Sequence, residues 1–209
     1  MPAAEAAATG KRREASRAFK RAAILEAARR VFAEKGLDGA SLRQIAAEAG
    51  YTPGAIYYHY PDKEHVYGDV LAHSLAALGR AVKQAAAAAP DAEARLRAAA
   101  RAFFAYYRDH PEEFDLSFYL ERGIRPRGLT PELNRQLNGR LIAILQVIAD
   151  AVAEFAAIEA GEANTETVAL VGHLCGVLLM DRSGRLRTLG FEAGDLVDRD
   201  LDQLVARLS

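Results

Sequence analysis

The sequence predicts an all-α fold, and three observations carry that expectation. Apolar residues recur at i, i+3, i+4 and i+7. No stretch shows the two-residue alternation of a half-buried strand, and capping residues and prolines stand where helices should begin. With 209 residues, 51% of them hydrophobic, the chain can bury a sizeable core in one large domain or two small ones.

Residues 1–15 are expected to be a basic arm without fixed structure. Ile24, Ala27, Ala28 and Val31 then form the apolar stripe of a first helix, with arginines on its other side, and Gly36 and Gly39 end it. Ser41 caps a second helix that stops at Gly50, and Thr52-Pro53 opens a third with proline at its first position. After Pro61, Asp62 caps a long fourth helix that runs through the alanines at 85–89 to Pro90. Residues 91–109 form another. His110-Pro111 starts the next, ending near Gly123 ahead of the loop "GIRPRG". Thr130-Pro131 opens a long helix to about Ala157, which "EAGEAN" breaks. Residues 164–189 read as helical, weakened by Gly172, Gly176 and Gly184, and 194–208 come last. The long helix from 62 joins a small N-terminal bundle (16–61) to a larger C-terminal one (62–209).

Charge is uneven along the chain. Residues 1–35 hold nine Lys/Arg against four Glu, whereas the whole chain has a net charge of −1. A basic N-terminal end on an acidic body suits an anionic partner for that end only. The N-terminus lacks the apolar core of a secretory signal, and the longest mostly apolar run, 168–180, is short of the ~20 residues of a membrane span. A cytoplasmic protein with no membrane partner is expected. The one cysteine, Cys175, fits a reducing compartment and sits in an apolar run, as core rather than nucleophile.

The segment "SLRQIAAEAGYTPGAIYYHYPDKE" concentrates hydrogen-bonding aromatics within a dozen residues. Residues 42–60 fit a helix-turn-helix. Ala46 sits where two helices approach closely, Gly50 falls in the turn, Ile56 plugs the second helix inward, and Ile45 and Ala49 fill the remaining inward positions. The second helix then protrudes, with Thr52, Pro53, Ala55, Tyr57, Tyr58 and His59 outward. Hydroxyl and imidazole groups hydrogen-bond phosphates, short side chains approach a thymine methyl, and Arg43 is the candidate for bidentate guanine reading. Lys63 can reach the DNA backbone.

The run "SLRQIAAEAGYTPGAIYYHYPDKEHVY", with Gly36 before it, resembles the DNA-binding signature of tetracycline-repressor-type (TetR-family) transcriptional regulators. The resemblance covers about residues 17–67; the remainder matches only in general plan. It implies a homodimer on a palindromic double-stranded operator and a C-terminal small-molecule effector pocket that controls the separation of the two recognition helices. DNA contacts then fall on Ser41, Arg43, Thr52, Pro53, Gly54, Tyr57, Tyr58, His59 and Lys63. Tyr60 stands where the family usually has phenylalanine, and Pro53 where a polar residue is usual. Pocket candidates are Phe104, Tyr107, Phe118 and His173, suited to a hydrophobic or aromatic effector. Leu170, Leu174, Val177, Leu178, Val197, Leu201, Leu204 and Leu208 would be core in a monomer, and in the dimer this family implies they form a four-helix interface. No cofactor, metal or enzymatic activity is expected: His65, Asp69 and His73 have a spacing that can hold a metal, but such positions on a connecting helix are usually solvated. An architectural DNA-binding protein without effector, or a helical small-molecule enzyme with an incidental helix-turn-helix, are the alternatives.

Overall fold

The computed structural model describes residues 2–118 and 129–209, with side chains from Glu14 onward in the first helix. The expected helix end near Gly123 and the loop 123–128 lie outside the described residues. The elements are α1 (Pro2–Gly39), α2 (Leu42–Ala49), α3 (Pro53–Tyr57), α4 (Lys63–Ala87), α5 (Ala92–Asp109), α6 (Pro111–Phe118), α7 (Pro131–Ala156), α8 (Ala160–Arg182), α9 (Arg185–Leu189) and α10 (Ala193–Leu208). Among the described residues there is no strand.

The starts follow the capping chemistry. Asp62 Oδ1 accepts the His65 N–H at 2.9 Å, Asp91 Oδ1 accepts that of Ala94 at 2.8 Å, and Thr130 Oγ1 accepts that of Leu133 at 3.2 Å. Helix α1 begins at Pro2, running through the segment expected to lack fixed structure, and is interrupted at Gly36, whose φ of 65° is readily adopted only without a Cβ. Two readings of the C-terminal half need correction. "EAGEAN" does not break the chain, because α8 already starts at Ala160; the break lies just before it, at Ala157 with φ 53°. Residues 164–189 are not one helix either, since Gly184 takes φ 73° and separates α8 from α9.

The chain divides into two compact units, residues 1–73 with 115–134, and residues 74–114 with 135–209. The division falls inside α4 rather than ahead of it. In the first unit Ile24, Ala27, Ala28 and Phe32 of α1 meet Ile45 and Ala46 of α2, Ile56 of α3 and Val66 of α4, all at most 1% exposed. Each fully buried Ile, Val or Phe of this set contributes about 1.5–3 kcal/mol. Phe32 packs edge-on against Tyr67 at 5.0 Å, and the Tyr67 hydroxyl donates to the Leu116 carbonyl at 2.7 Å.

The second unit buries Leu78 and Val82 of α4, Leu96, Phe103 and Tyr107 of α5, Ile148 and Val152 of α7, and the inward faces of α8 and α10. A Cβ on Gly79 would stand 3.3 Å from the Ile144 side chain, so glycine lets α4 approach α7 closely. Arg97 and Arg101 of α5 pair with Asp202 and Asp198 of α10, and Arg207 of α10 with Glu166 of α8.

This packing corrects the assignment of the leucine stripe. Leu170, Leu174, Val177, Leu178, Val197, Leu201 and Leu204 are buried within one subunit, and Leu208 is half-buried. They are its own core and cannot also be the face shown to a second copy. The outward side of α8 carries Val168, Leu179 and Met180 instead, with Gly172 and Gly176 open to solvent.

Candidate nucleic-acid interface

Helix α2 begins on Ser41, whose extended backbone (φ −141°) presents Oγ to the Gln44 N–H at 3.3 Å while its hydroxyl donates to Gln44 Oε1 at 2.9 Å. Gly50 closes the helix at φ 71°, and the Tyr51 N–H returns to the Ala46 carbonyl at 2.9 Å. Ala46 is 1% exposed, so a larger side chain here would push α2 off its neighbours. The turn is tight because each of these residues is small, or can take a left-handed φ, where it must.

Thr52 stands at the start of α3 in extended conformation, and its hydroxyl makes no capping hydrogen bond. Helix α3 is five residues long with one buried residue, Ile56, at 0% exposure. That anchor turns the rest outward: Tyr57 is 56% exposed, Tyr58 74%, and Thr52, Pro53 and Gly54 are exposed as well. His59 is half-buried, edge-on to Tyr58 at 5.2 Å. Arg43 is exposed on α2.

The cations divide by whether the subunit already neutralises them. Arg29 and Arg30 pair with Glu26, and Arg30 also with Glu48 at 2.7 Å; the Arg29 hydrogen bond holds the Glu26 carboxyl below its ordinary range. Arg17, Lys20 and Arg43 have no carboxylate partner among the described residues and face solvent. Arg17 and Lys20 share a surface cleft with Tyr51, Tyr58 and His59. Basic and hydroxyl groups side by side on an open surface suit a phosphate backbone.

Lys63 is also tied into the fold of the unit itself. Its ammonium donates to the carbonyls of Asp38 and Ala40, both at 3.2 Å, and so ties α4 to the end of α1. Tyr51 was missed by sequence reasoning, because the helix-turn-helix template assigns no role to the residue between Gly50 and Thr52. A cluster of Arg21, Tyr60 and Asp69 was also missed, its members lying up to 48 residues apart. Within it Asp69 is engaged by Tyr60 and Arg21, while His65 Nδ1 lies 2.6 Å from Asp62. No group of three or more His, Cys, Asp or Glu converges as a metal site among the described residues.

The effector candidates lie on three helices, α5, α6 and α8. Phe104 and Tyr107 are buried on α5, where Tyr107 packs edge-on between Phe103 and Phe114 at 5.3 and 5.5 Å. Phe118 belongs to the other unit and is half-buried. His173 is exposed on α8, its Nδ1 3.9 Å from Asp200 of α10, because position 173 lies at the margin of the Leu170–Leu174 stripe.

An exposed short helix set by a capped, glycine-closed turn on a three-helix core, continued into a second helical unit, defines a helix-turn-helix DNA-binding protein. The profile of bacterial regulatory proteins of the tetR family matches residues 24–70, and that of the tetracyclin repressor-like C-terminal domain matches residues 96–204. The second match spans more than half of the chain, and the chain belongs to the tetR family of bacterial transcriptional regulators. It is 28% identical over 187 residues to the HTH-type transcriptional repressor NicS of Pseudomonas putida, covering 84% of this chain and 82% of that protein. It is 29% identical over 152 residues to the HTH-type transcriptional activator FasR of Mycolicibacterium smegmatis (73% and 67%). Among solved structures, a tetR-family regulatory protein from Rhodococcus RHA1 superposes with TM-score 0.72 at 22% identity, covering 91% of this chain and 97% of that one. The fatty acid degradation regulator FadR from Bacillus halodurans does so with TM-score 0.69 at 19% identity (89% and 94%). At such identities the structural likeness speaks for the fold.

Proposed function

We propose that the protein is a cytoplasmic repressor that binds a palindromic operator as a homodimer and is released from it by a small hydrophobic or aromatic effector. The observation that carries the reading is the outward display of Thr52, Tyr57 and Tyr58 on a helix held by Ile56 alone. Thr52, Pro53, Gly54, Tyr57, Tyr58 and His59 approach the major groove, Arg43 reads a base edge, and Ser41, Arg17, Lys20 and Tyr51 meet phosphates. Two copies of α3 then sit ~34 Å apart, one helical turn of DNA. An effector acts only through a difference in affinity between the spacing that fits the operator and one that does not.

The outward face of α8 supports the dimer. This helix is long and apolar enough, by length and composition, to cross a membrane, yet only 33% of its most apolar window is buried. A second copy covering Val168, Leu179 and Met180, with close approach at Gly172 and Gly176, accounts for that exposure. Repression is the reading preferred over activation, although FasR is an activator.

Selection of duplexes from a randomised library by the purified full-length protein tests the function. A single palindromic motif is expected, lost in Tyr57→Ala and relaxed at one base position in Arg43→Ala. Equal affinity for all duplexes points to an architectural role and overturns the regulator.

A further inference from the structure

Three elements of the first unit meet at one oxygen atom. Tyr60, which follows the exposed Tyr57 and Tyr58 and the half-buried His59, donates its hydroxyl to Asp69 Oδ2 on α4 at 2.7 Å. Arg21 of α1 donates its Nε to the same oxygen at 3.2 Å, and that Nε lies 3.3 Å from the Tyr60 oxygen. The Tyr60 side chain is 5% exposed, while Arg21 remains 53% and Asp69 25% exposed.

The asymmetry of exposure says which link matters. A half-exposed guanidinium that loses its carboxylate is rehydrated at little cost, as for surface ion pairs generally. The Tyr60 hydroxyl sits on a ring that is itself buried, so water replaces its lost acceptor less readily, which makes this the more expensive loss. Burial, and next the hydrogen bond to Asp69, raises the Tyr60 phenol above its ordinary value, so it remains a donor throughout the physiological range. A phenylalanine at position 60 would fill the same space. Only the hydroxyl adds a directional, charge-assisted hydrogen bond between the end of the recognition segment and α4.

We propose that Asp69, acting through the Tyr60 hydroxyl, is a positioning residue that fixes the pose of the recognition helix on α4 and thereby sets which operator half-site spacing the dimer accepts. The inference rests on the operator-binding reading above. Ile56 seats α3 by apolar contact, which resists separation but only weakly resists rotation about that one anchor. A hydrogen bond just beyond the C-terminal end of α3 supplies the second fixed point that a defined orientation needs.

The test uses the full-length protein and its selected operator, with the centre lengthened and shortened by one and two base pairs, and affinity read by fluorescence anisotropy. Wild type is expected to prefer one spacing sharply. Tyr60→Phe and Asp69→Ala should each reduce that preference roughly tenfold or more, from the low end of the worth of a hydrogen bond to a charged group upward. The double variant should be no worse than the poorer single one, because both remove the same link. Asp69→Asn keeps an acceptor oxygen for Tyr60 and should retain most of the preference, and Arg21→Ala should hardly alter it. Tyr60→Phe preserves the packing, so its result stands even if Asp69→Ala folds poorly. An equal loss at every spacing, or an unchanged profile, overturns the inference while wild-type selection keeps the operator reading intact. A wild type that selects no operator overturns both.

Discussion

Two groups of aromatics, at residues 57–58 and in residues 103–114, use the same residue types to opposite ends. Tyr57 and Tyr58 stand in solvent on α3, whereas Phe103, Tyr107 and Phe114 are at most 3% exposed and pack edge-on against one another. Helix α3 buries only Ile56 and leaves its other faces free, while α5 buries Leu96, Ala99, Ala100, Phe103, Phe104 and Tyr107 along a continuous stripe. An aromatic side chain becomes core or contact surface according to how much of its helix is already covered.

The largest effect that sharpens this contrast is on stability. Phe103→Ala should cost about 3–5 kcal/mol, read as a lower melting temperature, while Tyr58→Ala should stay within about 0.5 kcal/mol of wild type. Comparable losses in the two variants would break the comparison. The two sides of α8 give the next test. Leu174→Ala should destabilise the subunit by about 2–5 kcal/mol, whereas Val168→Asp should leave the subunit folded and shift sedimentation from dimer toward monomer. Tyr57→Ala should lower operator affinity at least tenfold, about 1.4 kcal/mol, with an unchanged melting temperature. Gly50→Ala forces a side chain into φ 71° and should cost about 1–2 kcal/mol, detectable in a urea midpoint.

The smallest effect concerns Cys175. Burial pushes its thiol from 9.0 up to about 12. Its folded value lies above its unfolded one, so the contribution to stability is complete below about pH 9 and is lost as pH climbs through about 12. At pH 8 alkylation of the folded protein should be much slower than of the urea-unfolded chain. Equal rates would show that Cys175 is not shielded.

The helix-turn-helix was legible because its rules are local. Ser41 caps, Gly50 takes the left-handed turn, and Ile56 falls at the inward position, all within sixteen residues. The start of α8 was not, because Gly161 and Asn164 read as breakers while burial of Ala163 and Thr167, whose hydroxyl donates to the Ala163 carbonyl at 2.8 Å, favours helix. The end of α7 was placed at about Ala157, next to its observed end at Ala156, but nothing in the sequence marks the positive φ of Ala157. The leucine stripe of α8 and α10 was read with the right period and the wrong partner, since periodicity gives the apolar face and not what covers it. For the same reason periodicity did not show that His173 is exposed beside Asp200, and the Arg21–Tyr60–Asp69 cluster leaves no local trace.

A five-residue helix is far below the length that holds itself together in water. The order of α3 is therefore borrowed from the seat of Ile56 and from the turns on either side. Amide protons at 54–57 should accordingly exchange with solvent at rates set by brief local excursions rather than by global melting. A duplex that clamps the segment should slow that exchange more than it slows exchange in α5, so the reading head is ordered in full only when it is in use.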